Sequence, residues 1–350
     1  MTNENTKTSR PPKSKQPGEE QGKVLRRIVD QYPKSKVMVI GDFISDVYIY
    51  GKPISLSREA PVVVIRHEWE SVVPGGAGNA TNNLASLGCQ VYAVGILGND
   101  DLGNALITQL KEKKVNVEGL LLSHIVNTTS KTRIMAGDDH TSKQQVIRID
   151  RGSNEPIPAR LQEKIYEHFS RLSGEVDAIV VSDYGYGVLS PRIISTLKLI
   201  AMKKTVVVDS RYQTNRFRGV TAITPNESEA AQAARVELAG DKDVDQAAKF
   251  LRSKLQLDAV LITRGNRGMT LLDKSSRVYH IDIVGKDDVT DVTGAGDTVA
   301  TVFTLSLASG ASFYDAARLA NYAAGIVVMK RGTAVATRTE LLEAVRKSHG

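Results

Sequence analysis

Six short runs rich in β-branched residues recur along the chain: KVMVIG (36–41), QVYAVGILG (90–98), DAIVVSDYG (177–185), TVVVDS (205–210), GVTAIT (219–224) and DAVLITRG (258–265). They are apolar almost without alternation, so both faces of each strand must be covered, and the stretches between them read as helices. This predicts a three-layer α/β/α sandwich with a mainly parallel central sheet. NATNNLASLG (79–88) closes on a glycine, and SPRIISTLKLIAMKK (190–204) opens with a serine cap and Pro191, as helix ends require.

Two segments break the rhythm. Residues 47–67 and 131–149 read as β-segments joined by turns, with Val146, Arg148 and Asp150 alternating against Ile147 and Ile149. Such alternation suits a sheet with one wet face, here a small β-sheet lid over the main sheet. Residues 1–23 are polar and rich in Pro, Lys and Ser, with neither an apolar signal core nor a periodic face, and are predicted to form a disordered tail. Residues 24–350 then form one domain.

The lone cysteine, Cys89, lies in an apolar segment, which excludes an intrachain disulfide and points to a reducing, cytoplasmic setting. No stretch approaches roughly 18 uninterrupted apolar residues, so no membrane span is expected. The net charge of +7 is spread along the chain, and aromatics, at 5%, do not interleave with a basic run. Nucleic acid therefore has no support, and anionic small molecules explain the balance equally well. The six histidines lack metal-ligand spacing, so any metal must arrive with the substrate, as magnesium does on a nucleotide.

Chemistry concentrates at glycine-rich turns. In TGAG (293–296), Gly294 and Gly296 permit close approach, and the amides opening the following helix form an anion site. Asp297 then stands beside the bound anion, its acidity supported by the helix end, and can accept a proton from a hydroxyl. An aspartate that merely caps a buried helix is the competing reading. PGGAGN (74–79) is a second such turn, with Gly75 and Gly76 admitting a ligand and Asn79 able to bond a polyol. It is no dinucleotide fingerprint, and GxxxxGK[ST] is absent. GDFISD places Asp42 and Asp46 beyond a strand's carboxyl end, where open α/β sheets keep ligands. TPNESE puts Asn226 and Glu229 on one face of a starting helix, and TRGNRG sets Thr263 and Arg264 to meet phosphate.

In order, GDxxxD, PGGAxN, GNDxxG (98–103), DYGxGxL (183–189), TPNExE, TRGxxGM and DVTGAGD resemble the ribokinase or PfkB family of carbohydrate kinases over roughly residues 36–345. Within it the likeness is strongest to bacterial kinases that phosphorylate D-glycero-β-D-manno-heptose 7-phosphate at its anomeric oxygen, on the route to ADP-heptose. SREAPVVVI (57–65), PGGAGNATNNLASLG (74–88), TSKTRI with QQVIRID, and DVTGAGDTV carry it. The resemblance implies ATP and magnesium as cofactors, a sugar or sugar phosphate as acceptor, and a homodimer paired through its lids. Some such kinases are fused to a nucleotidyltransferase. The chain has no room for one, so that activity is expected on a separate protein.

Carried over, Asp297 resembles the catalytic base, and the amides of Gly294, Ala295 and Gly296 the anion hole. Asn226, Glu229, Thr263, Arg264 and Gly265 resemble the nucleotide side, with magnesium on Glu229 through water and Asn321 near the adenine. Asp42, Gly75, Gly76 and Asn79 would hold the sugar. Glu59, Arg133 and Arg148 would close over it, the arginines meeting a sugar phosphate bidentately. Asp291 and Thr293 match places where some relatives bind a monovalent cation such as potassium. Two departures stand out: Tyr186 replaces a usual lysine, and Ser210–Arg211 replace a Pro-Lys pair. Tyrosine cannot serve as a phosphate-binding cation. Rival readings are another acceptor within the family (a ketose phosphate, ribose, a nucleoside or a keto sugar acid), a non-catalytic sugar or nucleotide sensor, and nucleic-acid binding through the basic tail.

Overall fold

In the computed structural model, which describes residues 17–138, 143–152, 155–284 and 290–349, thirteen strands form two sheets. In chain order they are β1 (Lys36–Gly41), β2 (Phe43–Leu56), β3 (Val63–Gly76), β4 (Gln90–Gly98), β5 (Asn116–Ser123), β6 (Thr129–Ala136) and β7 (Gln144–Arg151). They continue with β8 (Ala178–Asp183), β9 (Thr205–Ser210), β10 (Ala222–Ile223), β11 (Ala259–Thr263), β12 (Met269–Leu272) and β13 (Val278–Ile281). The main sheet runs β13-β12-β11-β10-β9-β8-β1-β4-β5 and is parallel except where β12 and β13 turn back.

Successive side chains leave a strand on opposite faces, and here both faces are covered. Val37 and Val39 of β1 join one apolar cluster, with the helices Ala77–Ser86, Ala295–Ala308 and Phe313–Val327. Met38 and Ile40 join the other, under Ala159–Ser173, Pro191–Ala201 and Asp241–Leu255. β11 repeats this, with Leu261 on the first side and Val260 and Ile262 on the second. Each such side chain contributes about 1.5–3 kcal/mol by leaving water, so the doubly buried runs specify the sandwich.

The strand order reverses at β1, whose neighbours β4 and β8 lead away in opposite directions. The crevice beyond the carboxyl ends at such a reversal is where this architecture keeps its ligands. Asp42 follows β1, and Asp183 ends β8.

The second sheet is the expected lid, in the order β3-β2-β6-β7, with β2 and β6 parallel and the outer pairs antiparallel. It spans more than the two segments foreseen, because β2 and β3 reach back to residues 43 and 76. Tyr48, Arg133 and Arg148 are cross-strand neighbours on one face, and Ile49, Ile134 and Ile147 on the other.

Residues 17–23 of the expected disordered tail are helical. A helix begins at Pro17 and runs to Gln31, because Leu25, Val29 and the following Tyr32 bury at helical spacing and Tyr32 Oη meets Ser306 Oγ at 2.6 Å. Residues 1–16 lie outside the described residues. No helix among the described residues is long and apolar enough to cross a membrane.

Candidate active site

The helix Ala295–Ala308 is buried from Asp297 to Ser306, and it starts at the floor of the crevice. Gly294 caps it at φ 79°, and a Cβ there would lie 2.5 Å from Asn79 Nδ2, so only glycine fits. No side chain caps the helix, which leaves its opening amides to an anion. One expected member of the anion hole drops out: the Ala295 amide donates to Val292 O at 3.2 Å and closes the turn itself.

Asp297 is only 6% exposed. Asn79 Nδ2 donates to its Oδ2 at 2.8 Å and the Tyr184 hydroxyl to its Oδ1 at 3.1 Å. Burial pushes the carboxyl up to about 6 against these two donors, which lower it. The helix end was expected to support its acidity; desolvation outweighs that, yet most of the group stays ionised at neutral pH. A buried carboxylate poised near pH 6 suits a general base. Asn79 is fully buried, and its amide is turned to the carboxylate where a polyol contact was expected.

A cavity of about 120 Å³ adjoins this carboxylate, lined by Asp183, Tyr184, Asp209, Arg211, Thr224, Asn226, Glu229, Thr263, Gly294, Gly296 and Asp297. Asn226 and Glu229 form a reciprocal capping box on the helix Glu227–Ala234: Asn226 Oδ1 accepts the Glu229 amide, and Glu229 Oε2 accepts the Asn226 amide, both at 2.9 Å. Asn226 also bridges to Thr263 at the end of β11. Asp209 is raised well above the usual carboxylate range by burial and by the neighbouring Glu229, Asp297 and Asp183, and burial raises Glu229 as well.

Arg264 departs from expectation. Its guanidinium is 3% exposed and turned away from the cavity, bonding Glu227 at 2.9 Å and Asp241 at 2.6 Å, so it braces two helices. Gly265 opens a short turn at φ 58°, beyond the cavity lining. Asn321 is buried with its amide on Asp282 O at 2.7 Å, holding the chain after β13.

On the other side of Asp297, Asp42 Oδ2 accepts the amides of Tyr184 (2.8 Å) and Tyr186 (3.1 Å), while its buried Oδ1 has no hydrogen-bond partner. Burial raises Asp42 to about 6. It borders a cavity of about 340 Å³ shared with Tyr186, Glu155, Asn127 and Thr129, and no Lys or Arg of the described residues lines it. Gly75 leaves room for Asp46 Oδ2, which would lie 2.4 Å from a Cβ, and Gly76 sits at φ 55° against Asp42 O.

The lid face opposite carries Arg133, whose Nη1 meets Asp46 Oδ1 at 2.7 Å. Asp46 Oδ2 takes Thr333 Oγ1 at 3.2 Å. Arg133 also borders a cavity of about 900 Å³ with the stacked rings of Tyr50 and Trp69, Asp291 and Thr293. Asp291 accepts the amides of Thr293 and Gly332, each at 2.9 Å. Arg148 is exposed and paired with Asp150 at 2.8 Å. Glu59 is exposed in the β2–β3 turn, away from these cavities. Tyr184, Lys131, Asp183 and Asp209 were not singled out from sequence, although DYGxGxL contains two of them.

A buried carboxylate at a helix mouth, an uncapped glycine turn and a polar crevice beneath a β lid on an α/β/α sandwich are features that a sugar kinase needs. Residues 34–340 match the pfkB family carbohydrate kinase model, and the chain belongs to that family. It is 41% identical over 318 residues to the bifunctional protein HldE of Citrifermentans bemidjiense and 38% identical over 317 to that of Geotalea uraniireducens. Each alignment covers 90% of this chain and 64% of the relative, so the chain spans under two thirds of their length. The fold is shared with Arabidopsis thaliana ribokinase solved with ribose and ATP (TM-score 0.71, 19% identity, 89% of this chain and 99% of that one). It is shared too with Escherichia coli phosphofructokinase-2 in complex with potassium (TM-score 0.72, 18% identity, 90% and 99%).

Proposed function

We propose that the enzyme transfers the γ-phosphoryl group of ATP to the anomeric oxygen of D-glycero-β-D-manno-heptose 7-phosphate, giving the 1,7-bisphosphate. The observation that carries the phosphoryl-transfer reading is the buried Asp297, donor-held at both oxygens beside the uncapped helix start. The likeness to the bifunctional HldE relatives supports the acceptor. Asp297 takes the acceptor's proton as its oxygen attacks phosphorus, and the amides of Gly294 and Gly296 face the charge on the transferring group. Asp42, with an unsatisfied buried oxygen, takes an acceptor hydroxyl.

Two neighbouring carboxylates raised by burial, Asp209 and Glu229, fit a hard divalent cation that keeps its waters. Magnesium is taken to arrive on the nucleotide and to be met by Glu229 through water. Magnesium supplies charge neutralisation on the phosphates. A potassium ion beside Asp291 and Thr293 would steady the anion turn. The isoleucine face of the lid, with Ile147 51% and Ile149 42% exposed, is proposed to pair with a second copy.

A second acceptor reading rests on Tyr186. The cavity it lines has no cation among the described residues, which favours an uncharged sugar end there, and a sugar phosphate would turn to Arg211, Arg133 or Lys131. Coupled ADP release against a panel of sugars and sugar phosphates decides between them. The heptose 7-phosphate should give the highest kcat/KM, and preference for an unphosphorylated sugar removes the heptose-phosphate assignment. Asp297→Asn should lower kcat by roughly 10²–10⁴ while ATP still binds; full activity in that variant ends the mechanism.

A further inference from the structure

Asp297 has two holders, and the phenol among them has no role in the chemistry above. Tyr184 Oη reaches Oδ1 at 3.1 Å from the turn after β8, opposite Asn79 on Oδ2. Its backbone amide is anchored on Asp42 Oδ2 at 2.8 Å, and the ammonium of Lys131, on lid strand β6, lies 4.6 Å from its ring centroid. One residue thus touches the base, the acceptor carboxylate and the lid.

We infer that Tyr184 is a positioning residue for phosphoryl transfer, its hydroxyl orienting the Asp297 carboxylate toward the acceptor and Lys131 coupling that orientation to the lid. The inference rests on the kinase reading of the cleft. Each carboxylate oxygen offers two lone-pair directions. One donor per oxygen fixes the carboxylate plane and leaves the remaining directions for a hydroxyl in the cavity that Asp297 lines. During transfer the acceptor O–H bond breaks and its proton passes to Asp297. The oxygen's electron pair forms the bond to the γ-phosphorus, and the bridging P–O bond breaks with its electrons remaining on ADP. Tyr184 keeps its own proton throughout, since burial and the adjacent Asp297 hold the phenol far above its ordinary range. It therefore donates to the base without competing with it.

Tyr184→Phe removes one oxygen and keeps the ring beneath Lys131. The other charged groups around Asp297 stay in place: Asp46 on β2, Lys131 on β6, Asp183 ending β8, Asp209 on β9, and Arg211 and Glu229 across the cavity. With the hydroxyl gone, kcat should fall on the order of tenfold with KM for both substrates held within about twofold. The acidic limb of the rate profile should move to higher pH, because a donor to the ionised form is lost. Carboxyl ¹³C titration of Asp297 in acceptor-free protein should show the same upward shift, and needs no turnover. If no sugar in the panel is phosphorylated by the wild type, the kinase reading fails, and the titration still judges the Tyr184 contact. An unmoved limb and titration, or a loss confined to KM, overturns the positioning role. Lys131→Met should cost less in the Tyr184→Phe background than in the wild type, and equal cost in both overturns the coupling to the lid.

Discussion

Asp42 and Asp297 are both raised to about 6 by burial, from an unfolded value of 3.8. A group raised in the folded state contributes stability that is present below its unfolded pKa and lost as pH rises through the folded one. Both carboxylates therefore weaken the fold at neutral pH. Asp297→Asn keeps the contacts, since its oxygen can accept from Asn79 and its amide can donate to the Tyr184 hydroxyl. The variant should be more stable than the wild type at pH 7.5 by on the order of 2 kcal/mol, a gain that closes toward pH 4 in paired denaturant melts. Asp297 was legible because its glycine turn and buried helix are contiguous in sequence. Tyr184 and Lys131 were not, since Tyr184 and Asp297 lie 113 residues apart, and Lys131 on the lid meets Tyr184 only through the folded chain. Arg264 misled for the same reason: the helices bearing Glu227 and Asp241 converge on it only in space.

The helix Glu227–Ala234 shows how one element serves fold and site together. Its capping box spends the side chains of Asn226 and Glu229 on backbone amides while both residues line the cavity. Asn226→Ala should cost about 1 kcal/mol in thermal melts. It should also raise KM for ATP, because Glu229 loses its register; a stability loss with unchanged KM would leave the box purely structural. Strands β1, β4 and β9 match their apolar runs end to end, because both faces of each are covered. β5 and β13 escaped notice: each is an edge strand with partly wet faces and a mixed sequence. The serine cap at Ser190 was legible, and it accepts the Ile193 amide at 3.3 Å.

For the whole molecule, the lid's outer face sets the expected assembly. Ile147→Asp with Ile149→Asp places charges on exposed strand positions outside the main core, so melting should change little. Sedimentation should shift from a dimer to a monomer; a wild type that already sediments as a monomer at micromolar concentration removes the lid pairing. The sandwich was legible from strand burial alone, whereas the lid's sheet order required knowing that two segments far apart in sequence lie side by side. β2 and β3 pair without interruption at their roots, where Phe43 faces Gly76 beside Asp42, and each is 14 residues long. The uninterrupted part runs from Phe43 to Tyr50, before the register shifts at Tyr50/Gly51 and Pro53/Ser55; at about 3.3 Å per residue it makes a lever some 25 Å long, and a tilt of about 10° at its root would move its end by roughly 4 Å. Such a tilt around a seated sugar would be read by a fluorophore placed on the outer lid strands.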